Sequence, residues 1–365
     1  PTRRSSDLKN REENKERESS FEVQITVGDK FYAYGFSVVL SKRKIMSEWL
    51  YELYQNGTAR CLFEREGNKR PILDSTITLS NTEKNKFEIY ADDFEGNESS
   101  LFLTEMNRGK KYTVRSKLLF FKEVYDWIEN HIAVITPNTP LIDLEYYYDA
   151  DSLKLINKLI ETFDTGISKV KIEEISLDEL SNAMPKPVFD KAMHHVKSRI
   201  EEQENPSFRM TMRSNESFFN IEVQGHEEPK VTTIRLNHVK SFYDFGFEEE
   251  SDGTRRLFDL MDMLLNKRED MLYVVDELER SLHPKLTERF LQLFMQLHNE
   301  ERMQLLFTTH ESSIMDQSIF RRDEIWFIER NGKNASEIYS LDRFKERYDK
   351  VLSKAYLDEI GRAHV

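Results

Sequence analysis

The chain has 365 residues, 38% of them hydrophobic and 12% aromatic, enough for a substantial core and against wholesale disorder. A formal net charge of −13 argues against a whole-domain nucleic-acid footprint, although a local basic stripe stays open. The single cysteine, Cys61, excludes an internal disulfide and a cysteine-cluster metal site, no apolar run approaches the roughly 18–20 residues of a membrane span, and a reducing cytoplasm fits best.

Pro1–Leu8 (PTRRSSDL) and Ile360–Val365 (IGRAHV) resemble translated sequencing-library adapters and are expected to be non-native, while 9–20 read as a solvated tail. From Phe21 apolar and polar residues alternate through FEVQITV, FYAYGFSVVL and IMSEWLYEL, with CLFERE continuing at 61–66. The expectation is a β-meander with a first turn at Gly28-Asp29, and ITLSN and KFEIYA are read as further strands. Apolar spacings of three and four predict amphipathic helices over 115–131 and 151–164 and another around 188–203, within an otherwise charged stretch from 167 to 205. FRMTMR, FFNIEVQ and VTTIRLNHV then read as strands.

The last third changes character. A strongly periodic helix over 254–267 is followed by the apolar run LYVV and two acids. Pro284 then opens a helix to about His298, before the apolar strands QLLFTTH and EIWFIE. Strands alternating with helices, each strand apolar on both faces, predict a parallel sheet covered by helices.

Four apolar residues running into Asp276-Glu277 describe a Walker B motif. A carboxylate held at the end of a central strand can take a Mg²⁺ that bridges two phosphates, which assigns Asp276 to the metal, and the next acid can orient and deprotonate an attacking water, which assigns Glu277 as base. By itself such a run is common, and a buried strand ending in solvated acids is the bland alternative. Context sharpens it: Leu278–Pro284 (LERSLHP) follows directly, a second strand ends in Thr308-Thr309-His310, and Ser251-Asp252-Gly253-Thr254 opens the long helix upstream. A serine hydroxyl and free N–H groups at a helix start make an anion site, although ordinary capping would place the same residues there. The acids of 248–250 beside such a site are an apparent conflict.

This ordered series resembles the signature, Walker B, D-loop and H-loop of ABC-type ATPases, especially the SMC-like branch. Together with FEVQITVGDKFYAYGFSV, MSEWLYEL, CLFEREG, RRDEIWFIER and SEIYSL, it resembles a bacterial family of AAA/ABC-type ATP-binding proteins grouped with AbiEii-type and OLD-like phage-defence ATPases. The resemblance spans about 15–359. It implies an α/β, ABC/SMC-type P-loop NTPase head fragment with a mainly parallel core sheet, an antiparallel β-meander subdomain over 21–114, a helical insertion or lid over 115–205 and the ATPase core over 206–359. It further implies ATP and Mg²⁺ as ligands, His310 as the γ-phosphate switch, and Ser251, Gly253 and Thr254 closing on the nucleotide of a second copy. Ser281 and His283 would couple the two sites. Partners would be a homodimer formed through the ATP sandwich, a separately encoded effector in phage defence, and, in an alternative reading as a nucleotide-gated binding or scaffold module, DNA. No GxxxxGK[ST] loop occurs in the chain, because the Gly-Lys pairs at 107–111 and 331–334 lack its spacing. The expectation is that the loop precedes Phe21, outside this frame, and that the fragment alone does not hydrolyse ATP.

Overall fold

A computed structural model describes residues 15–137, 150–213, 218–265, 268–299, 301–330 and 335–343. It divides into two compact units, one of Pro1–Ile132 with Arg330–Ala335, the other of Ala133–Glu329 with Ser336–Val365.

The first unit is built on an antiparallel sheet of β1 (Ser19–Val27), β2 (Lys30–Val39), β3 (Lys44–Leu53), β4 (Ala59–Glu66) and the short β5 (Ile72–Leu73), paired in chain order. The expected turn joins β1 to β2, with Val27 opposite Lys30 and Gly28 at φ +62, a value that a residue without Cβ adopts cheaply. Gly35 is needed for a different reason: a Cβ there would lie 2.5 Å from the Trp49 ring. Helices α1 (Asn81–Phe94), α2 (Phe102–Asn107) and α3 (Leu119–His131) supply Phe87, Phe94, Phe102, Met106, Phe121 and Val124 to a core shared with Tyr34, Leu50 and Phe63 of the sheet.

The strand expected at KFEIYA is instead part of α1. Phe87, Ile89 and Ala91 alternate like a strand, but Ser80 and Glu83 form a reciprocal capping box, and burying Phe87, Ala91 and Phe94 takes a helical period.

A buried pair, invisible in the sequence, ties this unit together. The side chains of Glu48 (β3) and Arg65 (β4) are fully buried, with Arg65 Nε 3.7 Å from Glu48 Oε2. Glu48 accepts from Tyr34 Oη (3.0 Å) and from the first two amides of α2, Phe102 N (2.7 Å) and Leu103 N (2.9 Å), so it caps a helix whose own Leu101 cannot. Burial pushes its carboxyl up, opposed by those amides, by the Arg65 charge and by the tyrosine hydroxyl. Arg65 donates onward to the carbonyls of Asn97 and Ser100.

The second unit holds β6 (Ile132–Ile135, joined from the unit boundary), α4 (Ala150–Glu161), β7 (Ile167–Ile175), α5 (Leu177–Asn182), α6 (Lys186–Glu201), β8 (Ser207–Arg213), β9 (Phe218–Gln224), β10 (Lys230–His238), β11 (Asp244–Gly246), α7 (Asp252–Leu265), β12 (Leu272–Val275), α8 (Pro284–Leu297), β13 (Gln304–Phe307), β14 (Trp326–Arg330) and β15 (Ser336–Ser340). Strands β11-β10-β9-β8 form an antiparallel sheet with β7 on the other edge of β10. The strand β7 lies in the stretch expected to be simply charged. Its Lys and Glu residues face outward while Ile167 and Val170 reach the core. The region expected as one helical insertion, 115–205, is thus shared: α3 packs in the first unit, and α4 to α6 with β7 belong to the second.

A three-stranded sheet has the order β13-β12-β6, in which β12 and β13 run parallel. Tyr273, Val275, Leu305 and Phe307 face a core built with Leu257, Phe258 and Met261 of α7 and Phe290 and Phe294 of α8. The opposite face is open, against the expectation of strands buried on both sides, with Leu306 61% and Val134 62% exposed. A second difference concerns EIWFIE, which pairs with β15 as a separate two-stranded sheet rather than extending the parallel one.

Candidate functional site

Two groups of polar residues gather in the second unit. The first lies where β12 and β13 end. Asp276 N donates to Ile135 O (2.9 Å), which fixes the residue after β12 against β6. Thr308 then crosses between the strands: its hydroxyl donates to Asp276 Oδ1 (2.7 Å) and accepts from Glu277 N (2.9 Å). Its own amide donates to Val275 O (2.9 Å) and its carbonyl accepts from Leu278 N (3.1 Å). One side chain therefore holds both the Asp276 carboxylate and the Glu277 backbone. Glu277 sits at φ +52 and Ser281 at φ +64, left-handed values that cost a side-chain-bearing residue about 1–2 kcal/mol each and mark a turn whose shape is imposed by its surroundings. Leu278, wholly buried, anchors that turn. His310 lies three residues beyond β13 with an exposed side chain, and its amide donates to Glu279 Oε1 (2.8 Å).

The second group lines an open recess of about 590 Å³ bordered by Thr165, Ser251, Asp252, Gly253, Thr254, Ser281, His283 and Leu286. Five of the residues singled out in the sequence, Ser251, Gly253, Thr254, Ser281 and His283, thus share one surface. Ser251 caps α7, its Oγ accepting from Thr254 N (3.1 Å) with Thr254 Oγ1 3.0 Å away. Only one hydroxyl proton is spent between the two side chains, so the Ser251–Thr254 pair keeps a proton to donate. Gly253 is required by contact, since a Cβ there would lie 2.6 Å from Ser281 O. His283 caps α8, its Nδ1 accepting from Lys285 N (3.3 Å), which leaves the ring proton on Nε2.

The acids of 248–250 find partners elsewhere. Glu248 faces Arg235 at 4.0 Å, Glu249 accepts from Gly246 N (2.6 Å), and Glu250, nearly buried, sits 2.5 Å from His238 Nε2. None of the three lines the recess. Sequence reasoning assigned no role to Thr308 or Glu279, although Thr308 stood in the quoted strand end. A larger recess of about 780 Å³ in the first unit, lined by Lys30, Arg60, Arg115 and Lys117 among others, contains none of the expected residues.

The donor set suits Mg²⁺ held by protein and phosphate together. One oriented carboxylate, with its partner acid beside it, is the protein share such an ion takes when substrate phosphates complete its shell. Among the described residues no cluster of three or more His, Cys, Asp or Glu offers an all-protein cage.

Both groups lie in the α/β second unit, one where the parallel strands β12 and β13 end and the other where helices α7 and α8 begin. The family model described as "AAA domain, putative AbiEii toxin, Type IV TA system" matches residues 5–316, and the chain belongs to that family. No curated protein matches the sequence. Among solved structures, the Smc head bound to the C-winged helix domain of ScpA is 10% identical, with 86% of this chain and 74% of that one covered and a TM-score of 0.28. A Smc head with an extended coiled coil, bound to the C-terminal domain of ScpA and derived from Pyrococcus furiosus, is 11% identical, with 92% and 81% covered and a TM-score of 0.29. Among the described residues no helix is long and apolar enough to cross a membrane.

Proposed function

We propose that the protein binds and hydrolyses ATP in a site shared between two copies, and that the nucleotide state gates a separately encoded effector in phage defence. The observation that carries this reading is the Thr308 bridge, which holds Asp276 and Glu277 in fixed relation at the end of a central parallel strand. Asp276 holds Mg²⁺, which supplies charge neutralisation for the transferred phosphoryl group. Glu277 orients and deprotonates the attacking water, and the His310 side chain contacts the γ-phosphate. The recess formed by Ser251, Gly253 and Thr254 offers a hydroxyl and the amides of a helix N-terminus to the nucleotide of the second copy, with Ser281 and His283 on the same rim coupling the two sites. No residue of this chain is assigned to cradling the β- and γ-phosphates, since it contains no GxxxxGK[ST] loop.

Mixing tests the shared site. Ser251→Arg and Glu277→Gln, each made in the protein expressed from its complete gene, are individually inactive in ATP turnover. In a two-fold dimer their mixture contains heterodimers with one intact site, so turnover returns to roughly a quarter of the wild-type value. Two inactive variants that stay inactive when mixed, while each still dimerises, would remove the two-copy site.

A further inference from the structure

We infer that Glu279 is a positioning residue that ties the His310 segment to the helix carrying the recess, with Arg256 as its charge partner. The inference rests on the reading of His310 as a phosphate contact, and its structural half can be tested without it. Glu279 lies two residues beyond Glu277, inside the turn that the two left-handed residues shape. Its backbone carbonyl accepts from Leu282 N (2.8 Å) and closes that turn, while its Oε1 accepts from His310 N (2.8 Å). One residue therefore holds the segment after β12 and the segment after β13 at once.

Its second oxygen gives the link a further direction. Glu279 Oε2 is buried and has no hydrogen-bond partner among the described residues. Arg256, only 6% exposed, likewise leaves Nε and Nη2 buried and unbonded. The charge of Asp259 already acts on Arg256, but buried polar atoms without hydrogen bonds are costly on both side chains, and a closer approach of the two would relieve both. Burial, the largest influence, lowers the Arg256 pKa, while Asp259 and Glu279 act on it as opposite charges and Arg280 as a like charge. Arg256 stands three residues after Gly253 on α7, on the same helix face, and Gly253 abuts the Ser281 carbonyl of Glu279's own turn. A shift of the α7 N-terminus on binding a ligand in the recess therefore reaches Glu279 by two routes, the Arg256 charge and the Ser281 backbone. From Glu279 it reaches the His310 amide.

The test separates acceptor from charge. Glu279→Gln keeps an oxygen that can accept from His310 N but discards the charge, Glu279→Leu discards both, and Arg256→Met removes the partner cation. Amide hydrogen exchange at His310 is read first, in the protein without nucleotide. Glu279→Leu is expected to speed it by about tenfold or more, the loss of one charge-assisted bond, whereas Glu279→Gln stays within about threefold of wild type. In ATP turnover by the protein from its complete gene, Glu279→Leu lowers kcat with little change in KM, and Arg256→Met shifts kcat in the same direction. Unaltered His310 exchange in Glu279→Leu, or Glu279→Gln exchanging as fast as Glu279→Leu, overturns the inference. Should Glu279→Leu fail to fold, Glu279→Asp, whose shorter arm withdraws the oxygen, replaces it under the same criteria. Absence of turnover in the wild type would defeat the ATPase reading alone, and the exchange result would still decide the link.

Discussion

Gly253→Ala is the sharpest probe of how the recess is built. The added Cβ would lie 2.6 Å from Ser281 O and 3.7 Å from its carbonyl carbon, and contacts under 3.0 Å are essentially never seen, so the two segments must part by at least about 0.4 Å. The obstacle is backbone, and Ser281 is already left-handed at φ +64, so its peptide has little freedom to swing aside. Overpacking of this kind costs about 1–3 kcal/mol. Alanine's helix preference returns at most about 1 kcal/mol, less at the second helical residue. The expected net destabilisation is about 1–2 kcal/mol, or a few degrees in Tm for a unit of this size. Urea and thermal unfolding of Gly253→Ala, Ser281→Gly and the double variant form the assay. Ser281→Gly relaxes the left-handed residue and frees its carbonyl to move, so the double variant should recover at least about 0.5 kcal/mol relative to additivity. A neutral Gly253→Ala, or strict additivity, would refute the contact as the reason for glycine.

Glu48→Gln strands Arg65 as a fully buried, uncompensated cation and should destabilise the first unit by about 3 kcal/mol or more, whereas Glu48→Leu with Arg65→Met recovers much of the loss; urea unfolding of the two variants checks this. Glu83 gives a pH signature: burial works against its ionisation, but hydrogen bonds from Ser80, Ser116 and the amides of Lys117 and Ser80 outweigh it and hold the carboxyl at about 2 against an ordinary 4.5. A depressed folded-state pKa contributes stability that is present above 4.5 and lost as pH falls towards 2. After solvent screening the contribution is about 1 kcal/mol, so the stability gap between wild type and Glu83→Gln should close across that window in unfolding curves taken at several pH values. Thr308→Val releases Asp276 Oδ1 and Glu277 N together, and an outer-shell loss of this kind lowers metal affinity about 10–100-fold. Turnover by that variant should therefore fall at low Mg²⁺ and recover at high Mg²⁺, and a defect indifferent to Mg²⁺ would contradict the bridge.

Helices α7 and α8 and strands β12 and β13 were legible because their signals are local. The helical period of Leu257, Leu260, Met261 and Leu264, the proline at the start of α8 and the apolar run before Asp276 each state their element within a few residues. The five recess residues were also within reach, since they lie on two short segments that each open a helix. What escaped depends on partners far apart in the chain. Thr308 meets Asp276 across 32 residues, Glu279 meets the His310 amide across 31, and Glu48 reaches the amides of α2 across 54 and 55. No periodicity carries such pairings, because tertiary packing creates them. The open face of the β13-β12-β6 sheet escaped for a related reason: Leu306 is apolar in sequence, but whether anything covers it is a property of the assembled layers. With KFEIYA the decisive signal was present and local, in the Ser80–Glu83 capping box, and was outweighed by a six-residue alternation.

The central claim is that Glu277 at the end of β12 activates water for ATP hydrolysis. It is tested most directly by comparing nucleotide retention and turnover in the wild type and Glu277→Gln, both expressed from the complete gene and supplied with ATP and Mg²⁺. The account predicts that Glu277→Gln still binds ATP and accumulates as an ATP-bound dimer while its turnover falls by about 100-fold or more. Undiminished hydrolysis by that variant, or a wild type that neither binds nor turns over ATP, would contradict it.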